Sequence, residues 1–271
     1  MNQSNTLAAA PEAATPETGT VNRVLRLLAC FAEKDQWALN ELARALNLPR
    51  ATMHRLLGLC RPQGFVMQDD DGLYRPGLSL YRLAGKLAMD MPINRIAKPI
   101  LNAIRDQADE TTILTLLDRK ELKMFFSMTE SPPHPMRYSI TTHRMEPLAW
   151  GASGRVLLAY LTAAEVEEVI RRKETSPLDG RALKPAELRR SLKEIRANGY
   201  AVTHAQRTPS AFGLAVPFFD ANGEVRGNLT LTIPDFRFDP HRKDFLLDIL
   251  KKGVNDLSRQ LGWAAPSATL A

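Results

Sequence analysis

The sequence predicts an α+β chain of two domains, and three observations predict it. Three short amphipathic segments follow one another closely and run into an extended pair broken by a polar turn. The longer C-terminal part then mixes strand-like and helix-like periodicities. Finally, 271 residues with 44 % hydrophobic content are enough for two packed cores.

Taken in order, residues 1–19 carry almost nothing large and apolar, so a disordered tail is expected. Val24, Leu25, Leu27, Leu28 and Phe31 then recur three or four apart and predict a first helix with one apolar face. Asn40 stands where an N-cap belongs, and Leu42, Ala43 and Leu46 predict a second helix of about two turns. Asn47-Leu48 interrupts it. A third helix starts near Pro49, tolerated in a first turn because its missing donor has no partner there, and runs to about Arg61 before Pro62 and Gly64 stop it. Residues 65–68 and 73–75, joined by Asp69-Asp70-Asp71-Gly72, predict a small hairpin. Three helices and a hairpin over residues 20–77 have the order of a winged helix-turn-helix. Leu78, Leu80, Tyr81, Leu83, Ala84, Leu87 and Ala88 predict a linker helix over residues 78–92, a candidate dimer contact.

The second domain is expected over residues 93–263, with residues 264–271 as another disordered tail. Its predicted elements are a helix over 96–108 and strands over 112–117 and 122–128 around a polar turn. Further strands are expected near 136–140, 211–219 and 225–233, and helices over 153–172, 185–198 and 241–261.

Lysine and arginine exceed aspartate and glutamate by 36 to 30, which permits a polyanionic partner without demanding one. Placement of the charge decides. In the third helix Met53, Leu56, Leu57 and Cys60 share one face and point to the core. The opposite face carries Arg50, Ala51, His54 and Arg55, with Thr52 beside them, donors and small contacts suited to a major groove. No acidic residue lies between Leu42 and Gln68, whereas Arg44, Arg50, Arg55 and Arg61 do, and Arg75 follows in the hairpin. Such helices could also pack against protein, with the arginines as solvated surface and His54 as an ordinary surface histidine. The acid-free run, the Gly64 stop and the hairpin favour double-stranded DNA.

Other classes are weakly supported. Cys30 and Cys60 sit among apolar residues, as buried thiols do, and the five histidines are scattered, so no disulfide and no metal site is expected. A hydrolase would use Ser153 with His143 or His204, but Gly151-Ala152-Ser153-Gly154 lacks a glycine of the nucleophile elbow. No catalytic residue and no cofactor is expected. No stretch approaches the roughly 20 apolar residues that span a bilayer, and the N-terminus lacks the pattern of a signal peptide, so a cytoplasmic protein without a membrane partner is expected.

Several segments carry a resemblance. They are Glu41-Leu42-Ala43 with Leu48-Pro49-Arg50-Ala51-Thr52-Met53-His54-Arg55-Leu56-Leu57; Tyr74-Arg75-Pro76-Gly77; Pro147-Leu148 with Ala152-Ser153-Gly154-Arg155-Val156-Leu157-Leu158-Ala159; and Gly199-Tyr200 leading to Ala215-Val216-Pro217-Phe218-Phe219-Asp220. In their order and spacing the chain resembles the IclR-type bacterial transcriptional regulators from residue 21 to 262. The resemblance implies an N-terminal domain that binds operator DNA as a dimer, a GAF-like C-terminal domain that binds a small organic effector, and frequent tetramers of two dimers. It also implies an effector pocket at Ala152, Ser153, Thr203, Gly213, Thr230 and Thr232. The chain departs from the commoner pattern at Trp150, Arg155, Thr203 and Gly213. Thr230 and Thr232 face the same side of one strand, and the helix start near Ser153 offers backbone donors, which suits an organic acid. A dimer reading a partly palindromic operator is the assembly expected.

Overall fold

The computed structural model describes residues 19–89, 91–135 and 137–263, so the tails expected over 1–19 and 264–271 fall, Gly19 aside, outside the described residues. The chain divides into two compact units, residues 1–86 and 87–271.

The first unit is built from α1 (Thr20–Cys30), α2 (Leu39–Ala45), α3 (Arg50–Cys60), β1 (Val66–Gln68), β2 (Tyr74–Pro76) and the start of α4 (Leu78–Met89). Leu27 of α1 with Phe31 just after it, Leu42 of α2 with Leu46 just after it, and Met53, Leu56, Leu57 and Cys60 of α3 form its core with Val66 and Tyr74 of the hairpin. Leu25 does not share that face; with Val21 it points outward. Asn40 does not cap α2 either. Ala38 is the N-cap, and its N–H donates to the Glu41 carboxylate at 3.0 Å, so a glutamate reaching back replaces the expected asparagine. The turn into α3 needs a left-handed residue, and Asn47 supplies it at φ 52°. Leu48 N–H then bonds Ala43 O at 2.9 Å and sets the entry of α3. In the hairpin, Gln68 pairs with Tyr74 and Val66 with Pro76. Trp37 adds a third short rung, exchanging both backbone bonds with Tyr74 at 2.9 and 2.8 Å. Where the hairpin returns, a Cβ on Gly77 would stand 2.1 Å from Gly64 O, so this crossing requires glycine.

The second unit is a six-stranded sheet, every neighbouring pair antiparallel, in the order β5-β4-β3-β8-β7-β6. The strands are β3 (Thr111–Asp118), β4 (Lys123–Glu130), β5 (Met145–Pro147), β6 (Ala201–His204), β7 (Ala211–Phe219) and β8 (Val225–Pro234). On one face lie α5 (Pro92–Ala108) and α9 (Lys243–Gln260), covering Leu114, Leu214, Phe218, Leu229 and Leu231. On the other lies α6 (Gly151–Leu158), backed by α8 (Pro185–Asn198), over Ile113, Met124 and Ala215. The fold is α+β, with a helix-turn-helix unit ahead of a helix-sheet-helix domain.

Three further expectations, all beyond the first unit, are corrected. The helix foreseen over 153–172 is two, α6 and α7 (Ala163–Arg171), because Thr162 and Glu165 form a reciprocal capping box that starts a new helix. No strand forms over the described residues near 136–140, where the backbone is irregular. The segment 92–95 is helical, Pro92 opening α5 as a first-turn residue.

Candidate nucleic-acid interface and ligand cavity

The outward face of α3 follows from the helical period, since burying Met53, Leu56, Leu57 and Cys60 leaves the other side to solvent. Arg50, Ala51, His54 and Arg55 are exposed there and Thr52 is half-buried. Arg44 of α2 is also exposed, its Nε resting on Asn40 O at 3.3 Å. Among the described residues no ion pair engages Arg44, Arg50, Arg55 or Arg61, whereas Lys34 pairs with Glu41 and Arg75 with Asp69. The positive charge on α2 and α3 is therefore free for an external anion. The charge of Arg75 is already matched within the hairpin.

In the second unit, the start of α6 and the sheet beneath it border a cavity of about 60 Å³. Ala152, Ser153, Thr203, Gly213, Thr230 and Thr232 all line it, with Ile113, Phe126, Ile140 and Phe212 as apolar walls. Antiparallel pairing brings these distant residues together. Gly213 stands between Thr203 of β6 and Thr232 of β8 in the register, and the side chains of alternate residues share the α6 face. Gly213 also keeps the floor open, for a Cβ there would lie 3.2 Å from Ala152 Cβ. Phe218, by contrast, is buried with α5 and α9 on the opposite face, and Trp150 is buried without lining the cavity.

The hydroxyls are not all free. Ser153 Oγ and Thr230 Oγ1 are 2.8 Å apart, Thr230 Oγ1 donates to Asn228 Oδ1 at 2.7 Å, and Asn228 Nδ2 donates to Ser153 O at 3.0 Å. This buried chain fixes α6 against β8 and satisfies its own polar atoms. Among the described residues no hydrogen bond joins Ser153 to a histidine, and His204 contacts Asp235 at 2.9 Å. Among the described residues no group of His, Cys, Asp or Glu could hold a metal ion.

Among the lining residues that sequence reasoning misses are Gln206, Arg207 and Thr208. They lie in the irregular loop between β6 and β7, where no period marks a residue as inward-facing. Gln206 Oε1 accepts from the Gly151 N–H at 3.2 Å. The Arg207 guanidinium fastens the segment ahead of α6, donating to Glu146 and to the carbonyls of Pro147 and Trp150 at 2.8 and 2.9 Å. Burial pushes its pKa down, with Glu146 opposing that shift. Asn228 could have been found, because it lies two residues before Thr230 on the same strand face.

Comparison with known proteins places this geometry. Residues 20–70 match the model of the IclR helix-turn-helix domain, and residues 86–259 match that of the bacterial transcriptional regulator IclR C-terminal domain. The chain is 27 % identical over 238 residues to the transcriptional repressor IclR of Escherichia coli, covering 87 % of each chain. It is 25 % identical over 245 residues to the transcriptional regulator KipR of Bacillus subtilis, covering 90 % of this chain and 97 % of that one. Among solved structures, an IclR-type regulator from Silicibacter sp. TM1040 superposes with a TM-score of 0.81 at 26 % identity, over 92 % of this chain and 98 % of that one. A homologue from Microbacterium hydrocarbonoxydans, solved with 4-hydroxybenzoate, superposes with a TM-score of 0.71 at 24 % identity, over 90 % and 99 % of the two chains. That last likeness is one of fold.

Proposed function

This chain belongs to the IclR family of bacterial transcriptional regulators, and from that premise we propose that it reads a partly palindromic operator as a dimer or a pair of dimers and changes its hold on that DNA when a small organic acid fills the C-terminal cavity. That it is a DNA-binding regulator and not an enzyme follows from its family and relatives. The observation that carries the rest is the pairing state of the arginines. Four of them on or beside α2 and α3 have no carboxylate partner among the described residues, which leaves their charge for phosphates and base edges.

In this reading residues 20–77 bind DNA, 78–92 link, and 93–263 sense the effector. Arg50, Ala51, Thr52, His54 and Arg55 enter the major groove, Arg44 grips the flanking phosphates, and Arg75 joins them only after leaving Asp69. Ala152, Ser153, Thr203, Gly213, Thr230 and Thr232 surround the effector. An acid is favoured because the cavity sits at a helix N-terminus, and a relative of the same fold was solved with 4-hydroxybenzoate. No helix among the described residues is long and apolar enough to cross a membrane, in keeping with work in the cytoplasm beside the chromosome.

The test has two parts. Affinity for operator DNA should fall steeply between low and moderate salt, as counterion release requires. An acid that alters operator binding by the wild type should lose that effect in Ser153→Leu, which fills the cavity, and weaken in Thr232→Val. Normal responses in both variants would remove the effector from this cavity.

A further inference from the structure

A second cavity, of about 220 Å³, lies between α6 and the start of α8, and its lining is basic. Arg155, Arg181 and Lys184 border it with Trp150, Glu187 and Gln206. Among the described residues only Gln206 also lines the cavity beside Ser153, so the two are separate spaces that share one wall. Three cations against one carboxylate leave the second cavity positively charged. Lys184 is matched, its Nζ donating to Glu187 at 3.0 Å. Arg181 lies over the Trp150 ring at 5.4 Å, and its Nε stands 3.6 Å from the exposed Asp179, a contact too long for a good hydrogen bond.

Arg155 is the cation left over. Its Nε donates to Ala149 O at 3.1 Å, but among the described residues no carboxylate pairs with it and its terminal nitrogens have no acceptor. The side chain is half-buried, and burial first, then the charge of Arg181, push its pKa down, with Glu187 opposing them. A partly desolvated guanidinium close enough to a second one to feel it is a costly arrangement, and an anion between the two relieves it. Gln206 adds a neutral donor. Its oxygen is taken by the Gly151 N–H, which leaves its amide nitrogen without an acceptor among the described residues.

The donors select among anions. A dicarboxylate spreads its two charges along a chain, whereas a phosphate dianion gathers them on the oxygens of one tetrahedral group. Two neighbouring guanidinium groups and an amide suit the second, because separate oxygens of one group can serve all three at once. We propose that this second cavity binds a phosphate dianion, free or as the end group of a small phosphomonoester, gripped by Arg155 and Arg181 and steadied by the Gln206 amide. The site is distinct from the cavity beside Ser153 and does not depend on what that cavity holds.

The experiment is calorimetric titration of the full chain with inorganic phosphate, methyl phosphate and succinate at about pH 8, well above the second phosphate pKa of about 6, at one ionic strength and with melting curves for each variant. Phosphate should bind at least about tenfold more tightly than succinate, and Arg155→Gln and Arg181→Gln should each weaken it by roughly tenfold or more, as loss of a charge-assisted hydrogen bond requires. Arg181 is exposed, so its variant serves should Arg155→Gln fail to fold. Methyl phosphate as tight as phosphate assigns the site to a monoester, and methyl phosphate at least about tenfold weaker assigns it to the free ion. Ser153→Leu in the neighbouring cavity and Arg55→Ala on α3 should leave phosphate affinity unchanged. Absence of phosphate binding by the wild type, unchanged affinity in a folded Arg155→Gln or Arg181→Gln, or succinate as tight as phosphate overturns the proposal. Loss of phosphate in a folded Ser153→Leu or in Arg55→Ala overturns it too, by placing the ion beside Ser153 or on the DNA-binding face.

Discussion

At the scale of single residues, the arginines of α3 and the arginine of the hairpin separate on one property, whether an acid already holds them. Arg50 and Arg55 are exposed and unpaired among the described residues, while Arg75 contacts Asp69. Arg50→Ala and Arg55→Ala should each weaken operator binding by about 1 to 3 kcal/mol where a base edge is lost. A residue touching phosphate alone should instead lower the salt slope by about one. Neither change opens a cavity, so melting curves should match the wild type. Arg75→Ala should cost less, because the pair with Asp69 has to break before DNA gains anything. Fluorescence anisotropy at several salt concentrations checks all three, and equal losses at Arg50, Arg55 and Arg75 would contradict the ranking. The face of α3 was legible because burial of every third or fourth residue leaves the rest outside. The Arg75 pair was not, since Asp69 lies six residues away across a turn and only strand register brings the two together.

Among elements, α7 shows how a start signal is obeyed. Thr162 N–H donates to Glu165 at 2.8 Å, and Arg119 Nε, from the turn between β3 and β4, reaches the same carboxylate at 2.6 Å. The Arg119 hydrogen bond is the main cause that lowers the Glu165 pKa from 4.5 to about 2. A lowered carboxylate pKa contributes stability above the unfolded value and loses it as pH falls through the folded value, so the window runs from about 4.5 down to about 2. Glu165→Gln should cost about 1 kcal/mol near neutral pH, a modest figure because Arg119 is well exposed. Melting temperatures of wild type and variant should converge as pH drops through that window, and a constant gap would contradict the assignment. The capping box was written in the sequence as Thr162-x-x-Glu165, yet the continuous apolar run beside it reads as one helix. β7 and β8 were legible for the opposite reason, long runs meeting at Asn222-Gly223. β5 and β6 are edge strands of three and four residues, too short for any period to register, and their order comes from β4 and β7 beside them.

For the whole molecule, the exposed apolar side chains are the unexplained surface. Leu78, Tyr81, Leu83 and Leu87 of α4 are 73, 60, 48 and 62 % exposed, and Val21 and Leu25 of α1 are 73 and 61 % exposed. Single exposed leucines are ordinary, but four large apolar residues along the one helix α4 ask for a cover. A second copy fits the task on the DNA side as well. One recognition helix reads only a few base pairs, too few to single out an operator in a genome, and two related by a dyad double the contact and impose palindromy. The expected species in solution is therefore at least twice the 30.2 kDa chain. Leu83→Glu with Leu87→Glu places two charges in that surface, and sedimentation should then show the monomer. Operator affinity should collapse toward that of one half-site and the salt slope should fall by about half, because phosphate contacts scale with the number of subunits bound. The α3 side chains are untouched, so loss of operator binding without loss of fold would isolate assembly as the cause. A wild-type chain that sediments as a monomer at micromolar concentration, both free and on operator DNA, would contradict the dimer, and α4 would then need another partner.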